Sequence, residues 1–160
     1  MIGDLKLGPL VVKTLHGQEG DAWTPYLTRV SIGRLSLHLF WRGDADQECH
    51  DHPWDFWTFP LRRAGYREMV RETWEFEAVG KGMWNGLSKA WTSHPEIENH
   101  VPGWRWSYRP AEYAHRVLSN RDGSTIVTLI WKSPKRREWG FYCPQGWRHW
   151  KAFLDRRGCE

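Results

Sequence analysis

Apolar and polar positions alternate along this chain in short runs with a period of two. Leu35, Leu37 and Leu39 are separated by Ser36 and His38, the pattern of a half-buried strand with an apolar leucine face. Runs at 7–15 and 26–32 precede it. Runs at 56–61 and 66–76 follow, divided by an Arg-Arg-Ala-Gly hairpin turn. Three more strands are predicted at 104–108, 115–118 and 125–131, the last two joined by an Asn-Arg-Asp-Gly-Ser turn. So many short strands predict an all-β barrel or sandwich of antiparallel type. Only the end changes period: Trp147, Trp150 and Leu154 stand at i, i+3, i+7, which predicts a short amphipathic C-terminal helix packed on the strands. Across 79–103, Gly and Pro break the pattern while Trp84 and Trp91 are interleaved, so a long loop over one barrel mouth is expected. No internal repeat is visible, and residues 1–160 are expected to form one domain.

Composition narrows the class. Hydrophobic residues make up 40% and charged ones 26%, which fits a folded globular chain. Thirteen Trp must fill a core, line a pocket, or both. The net charge of +4 permits contact with nucleic acid without supporting it as a function. Three Cys, none in a CxxC pair, argue against a disulfide scaffold and fit a reducing, cytoplasmic compartment. The N-terminus has no leader-like apolar segment and no apolar run is long enough to span a bilayer, so neither secretion nor a membrane partner is expected.

The strongest chemical signal is Cys49-His50-Asp51-His52-Pro53-Trp54-Asp55-Phe56. On a strand, residues i and i+2 share a face, so His50 and His52 aim two imidazoles at one point while Asp51 faces away. Imidazole serves Fe, Zn, Cu and Ni alike. A second element ends in a His that opens a strand: Arg109-Pro110-Ala111-Glu112-Tyr113-Ala114-His115-Arg116.

Together these elements resemble the two motifs of the cupin superfamily. His50 and His52 match the HxH of the first, Gly65 suits its closing glycine, and Pro110 and His115 match the second. The chain also looks like a group of small cupin-like proteins of phage and bacterial genomes that share an "HDHPWDF" stretch. Its further marks stand here as Gly65-Tyr66-Arg67-Glu68, Ala111 to Arg116, Trp139-Gly140-Phe141 and Gly146-Trp147 to Trp150. The resemblance implies a cupin-type β-barrel, that is, a double-stranded β-helix or jelly roll. It also implies a metal held by His50, His52 and His115, and it allows a homodimer.

This chain departs from the pattern where the usual Glu ligand would fall, at Phe56 or Trp57, and Glu112 replaces a Gly. Two completions follow: a three-His site, as in thiol-dioxygenase-like cupins, or a two-His-plus-carboxylate site using Asp55 or Glu112. Strand parity disfavours Asp55 unless Pro53 breaks the strand. Three ligands leave open positions, the mark of a catalytic rather than a structural site.

The expected cofactor is a divalent transition metal, Fe(II) first, with Zn, Ni or Mn as alternatives. The expected function is a non-haem Fe(II) oxygenase acting on a small molecule. A Zn, Mn or Ni isomerase or hydrolase is one alternative, and a non-enzymatic ligand-binding or phage accessory protein another. Trp54, Trp57, Trp106 and Trp131 are candidates to shape the substrate pocket, and Tyr66, Tyr108 and Tyr113 to act as polar groups within it. Arg62, Arg67 and Arg116 are candidates for an anionic substrate group. Histidines 16, 38, 94, 100 and 149 are assigned structural or surface roles.

Overall fold

The computed structural model describes residues 5–71, 95–155 and 158–159. Twelve strands and one helix are seen among them. In chain order they are β1 (Leu5–Leu7), β2 (Leu10–Glu19), β3 (Ala22–Ile32), β4 (Leu35–Phe40), β5 (Phe56–Pro60), β6 (Tyr66–Arg71) and β7 (Glu96–Val101). There follow β8 (Ser107–Arg109), β9 (Ala114–Val117), β10 (Ile126–Lys132), β11 (Gly140–Cys143), β12 (Gly146–His149) and α1 (Trp150–Asp155). The all-β architecture with a short C-terminal helix is therefore as the alternation predicts.

Seven strands form one antiparallel sheet in the order β1-β2-β3-β4-β10-β5-β8, and β7-β6-β9 form a second. Strands β11 and β12 make a hairpin. His50 joins it to the second sheet through single bridges to His115 on β9 and Phe141 on β11. Neither sheet closes on itself among the described residues, so two sheets face each other without one continuous ring of hydrogen bonds. Leu27, Phe40 and Ile126 of the first sheet pack with Tyr66, Val101 and Val117 of the second. Each such apolar side chain taken from water contributes about 1.5–3 kcal/mol.

Strand β4 reverses the orientation its sequence suggests. The inner face carries Ser36, His38 and Phe40, with Ser36 wholly buried, while Leu35 is exposed on the outside. Register explains how the leucines remain tolerable there, because Leu37 stands between Val30 of β3 and Leu129 of β10, giving an apolar strip across the outer face. The inner face, by contrast, is where the polar residues of this strand are placed.

Three further expectations are corrected. Part of the 79–103 loop is strand β7, paired along its length with β6; residues 79–94 lie outside the described residues. The helical stripe begins later, because Trp147 belongs to β12 and only Phe153 of α1 is buried. Phe153 stacks on Phe141 at 3.8 Å between ring centres, which docks the helix on the hairpin. The cysteine argument also fails: Cys143 and Cys159 form a disulfide, because the chain after α1 folds back to β11. Cys49 is left as a buried thiol whose pKa burial pushes up to about 12, so it is not reactive. No helix is long and apolar enough to cross a membrane among the described residues.

The turn before β6 depends on Gly65. Its φ is +66°, and a Cβ there would stand 1.9 Å from the Val101 carbonyl oxygen, so only glycine allows β6 to begin against β7.

The disulfide links residues separated by 16 positions. Replacing both cysteines by Ser should lower stability by about 3 kcal/mol through the unfolded state, read as a lowered urea midpoint. An unchanged midpoint would show that the crosslink carries no weight.

Candidate metal centre

His50 and His52 lie on the stretch between β4 and β5, and backbone hydrogen bonds fix that stretch on both sides. His50 N–H donates to the His115 carbonyl at 2.9 Å and His115 N–H returns the bond at 3.0 Å. His52 N–H donates to the Ala111 carbonyl at 2.8 Å, and Asp51 N–H to the Gly140 carbonyl at 3.1 Å. The two motif segments are thus aligned by main chain before any side chain is considered. The outcome is a cluster: one ligand atom from each of His50, His52 and His115 lies within 4.8 Å of the others.

The Nε2 atoms of His52 and His115 are 3.0 Å apart. Two nitrogens each about 2.1 Å from one ion, at right angles, would stand about 3.0 Å apart. Burial lowers the pKa of His50 to about 4 and that of His52 well below its ordinary value, so both are neutral at pH 7. Neutral imidazoles facing one point form a donor set that fits a divalent transition metal.

His115 is oriented by a residue that sequence reasoning missed. Glu68 on β6 is wholly buried and faces inward, and its Oε2 lies 2.7 Å from His115 Nδ1. With Nδ1 donating to the carboxylate, Nε2 keeps a free lone pair turned toward the other two imidazoles. Glu68 Oε1 accepts from the Tyr113 hydroxyl at 2.6 Å and from Arg109 and Asn99 at 3.0 Å each. Burial alone would raise the Glu68 pKa, but the charges of His115 and Arg109 and these hydrogen bonds outweigh it and hold it at about 2. The available signal was parity: Tyr66 and Glu68 share a face, which puts an acid on the buried side of a strand.

Asp51 does face away from the imidazoles, yet it is wholly buried rather than external. Gly140 N–H donates to it at 2.7 Å and Trp147 Nε1–H at 3.0 Å, with Arg137 at 3.1 Å. It clamps the C-terminal hairpin behind the site.

Neither candidate carboxylate belongs to the imidazole cluster. Asp55 accepts from Ala111 N–H at 2.8 Å and from Arg136 at 2.8 and 3.0 Å, and Glu112 accepts from the same guanidinium at 2.7 Å. Arg136 thus bridges the two acids at the surface, and Asp55 fastens the 110–112 turn. Phe56, at the usual Glu position, packs its ring 4.6 Å from that of His52.

The cluster opens into a cavity of about 390 Å³ between the two sheets. Of the pocket candidates, Trp54 and Tyr66 line it. Tyr113 sits behind His115 on Glu68 instead. Trp57 with Tyr108, and Phe59 with Trp106, pair on the outer face at 5.0 and 5.2 Å, and Trp131 is exposed beside them. The alternation of β5 and β10 puts these rings opposite to Phe56 and Ile130. Arg62 is exposed, Arg67 pairs with Glu98 at 2.9 Å and Arg116 with Glu96 at 3.7 Å, all away from the cavity. Cationic groups do line it, but they are Arg29, Lys132 and Lys13 from the first sheet, joined by His38.

No family model and no curated protein matches this chain. Among solved structures, Fe(II) HppE is similar over 76% of this chain and 56% of its own, at 11% identity and a TM-score of 0.47. The hydroxypropylphosphonic acid epoxidase from S. wedmorenis aligns over the same shares at 10% identity and 0.44. The DMSP lyase DddQ from Ruegeria pomeroyi DSS-3 aligns over 84% of this chain and 53% of its own, at 14% and 0.38. The chain thus spans little more than half the length of these proteins.

Two outcomes test the geometry. Glu68→Gln leaves Arg109 without its buried counter-charge and removes the carboxylate from His115. Stability should fall by about 3 kcal/mol in urea, and affinity for a divalent metal about 10–100-fold in a chelator competition. For the metal-free protein, His50 has a folded pKa of about 4 against an unfolded 6.5. Between those values the unfolded chain binds more protons, so stability should drop as pH falls from 6.5 through 4. A flat urea midpoint across that window would contradict a neutral, buried His50.

Proposed function

We propose that this chain is a metal-dependent enzyme of the cupin type, most consistent with a non-haem Fe(II) oxygenase acting on a small molecule. The observation that carries the reading is the combination at one spot: three converged imidazoles, no carboxylate among them, and a cavity opening directly above. His50, His52 and His115 would hold the ion, and a metal held by three nitrogens supplies open positions where a substrate and oxygen can bind side by side.

The chain's own residues do the rest. Glu68 keeps the His115 proton on Nδ1, so the ring cannot swap tautomers and withdraw its lone pair. Phe56, Phe141 and Trp139 form an apolar collar, with Trp139 and Phe141 at 6.0 and 5.6 Å from the His50 ring. Such walls keep water from the reacting groups. The volume of the cavity lies within the range of small-molecule sites, about 300–1,000 Å³, and suits a ligand of metabolite size.

Protein purified without chelator should carry close to one equivalent of metal by elemental analysis, and His115→Ala should abolish it. Loaded anaerobically with Fe(II), it should bind nitric oxide and give the electron-paramagnetic signature of a high-spin iron nitrosyl. Retention of Zn, Ni or Mn with turnover that needs no oxygen would replace the oxygenase by an isomerase or hydrolase at the same residues. No metal uptake by the wild type would remove the reading altogether.

A further inference from the structure

The inner face of the large sheet carries a transverse polar row where it lines the cavity. Arg29 of β3 stands opposite His38 of β4, and His38 opposite Thr128 of β10. The row on one side is Leu27, Phe40 and Ile126; the row on the other is Ser31, Ser36 and Ile130, whose two hydroxyls bond each other at 2.8 Å. Arg29, His38 and Thr128 all line the cavity. In each, one polar atom is buried without any hydrogen-bond partner: Arg29 Nε, His38 Nε2 and Thr128 Oγ1.

Five other buried polar atoms among the described residues also lack a hydrogen-bond partner, but these three stand in one row on the cavity wall, and each orphan costs about 1–3 kcal/mol. Arg29 is the most anomalous. Among the described residues its guanidinium makes no hydrogen bond and no ion pair within 4.0 Å. The nearest acid by charge is Asp44, and its Oδ2 is already taken by Val117 N–H at 2.7 Å. A second cation, Lys132 of β10, faces the same cavity and lies over the Trp54 ring, its Nζ 5.1 Å from the ring centre, with no ion pair among the described residues. Arg29 and Lys132 thus face a cavity that Asp44 and Asp46 also line, with no ion pair to either acid among the described residues.

We propose that this row is the seat for an anionic group of the substrate, a carboxylate or a phosphate-type oxyanion. Arg29 and Lys132 supply charge, and His38 and Thr128 supply hydrogen bonds. Planar guanidinium and flanking donors match the oxygen fork of such a group. The seat is defined by its own residues. Its assignment to the substrate's far end, with the reacting end at the three imidazoles across the cavity, rests on the metal-enzyme reading above.

The two claims separate in one set of measurements. Succinate and methylphosphonate are titrated by calorimetry into metal-free and Fe(II)-loaded wild-type protein, and into Arg29→Met and His115→Ala. The wild type is expected to bind at least one of the two anions in both metal states, and the stronger of the two identifies the oxyanion class. Arg29→Met should weaken that binding about tenfold or more, take up metal as the wild type does, and melt at the same or a higher temperature, because an unpaired buried charge has gone. Lys132→Met should weaken binding in the same direction. A structural role for Arg29 would instead lower the melting temperature and leave anion affinity unchanged. That result, or no binding of either anion by wild type, overturns the proposal. If His115→Ala loses metal but still binds the anion, the seat stands independently; if the wild type binds the anion but no metal, only the metal-enzyme reading falls.

Discussion

The contact between Glu68 and His115 is the constraint on which the rest of the site depends. A carboxylate with no solvent exposure is tolerable only if both oxygens are hydrogen-bonded, and here three donors meet Oε1 and one meets Oε2. His115 and Tyr113 come from the second motif, Arg109 from β8 and Asn99 from β7. Satisfying one buried acid therefore requires β6, β7, β8 and β9 to meet at a single point. The imidazole orientation that a metal needs is a by-product of that requirement.

Asp51 plays the corresponding part on the other side of the site. It points away from the imidazoles as strand alternation demands, and the chain then builds β11, β12 and Arg137 around it. The HxH segment is thus held by Asp51 behind and by main-chain bonds at His50 and His52, while Glu68 orients the His115 it meets. Asp55 and Arg136 add a third fastening at the surface. Carboxylates surround the centre on three sides and none enters it, which leaves an all-nitrogen donor set.

How legible this was in the sequence depends on the range of each interaction. The all-β class, a short C-terminal helix and the convergence of His50 with His52 follow from local periodicity, which a single sequence displays. Glu68 was hidden because its meaning comes from a partner 47 residues away. The outer-face rings Trp57, Trp106, Tyr108 and Trp131 were attractive pocket candidates because large aromatics near a motif usually line one. Their parity relative to Phe56 and Ile130 argued otherwise. Cys143 and Cys159 looked unpaired because an odd total conceals a pair when a third thiol is buried alone.

The inversion of β4 shows most clearly why pattern and structure diverge. By hydrophobicity the leucines should face the core and His38 the solvent. The structure places His38 inside with Arg29 and Thr128, in the row where partners are missing. A sequence selected only for stability would fill that row with apolar residues and leave no orphan atoms. Local rules are expected to fail where function outweighs packing. Here three orphan atoms line up on the wall of one cavity that also holds three converged imidazoles. The strand that disobeys its hydrophobic period is therefore the strand that reports where a ligand is received.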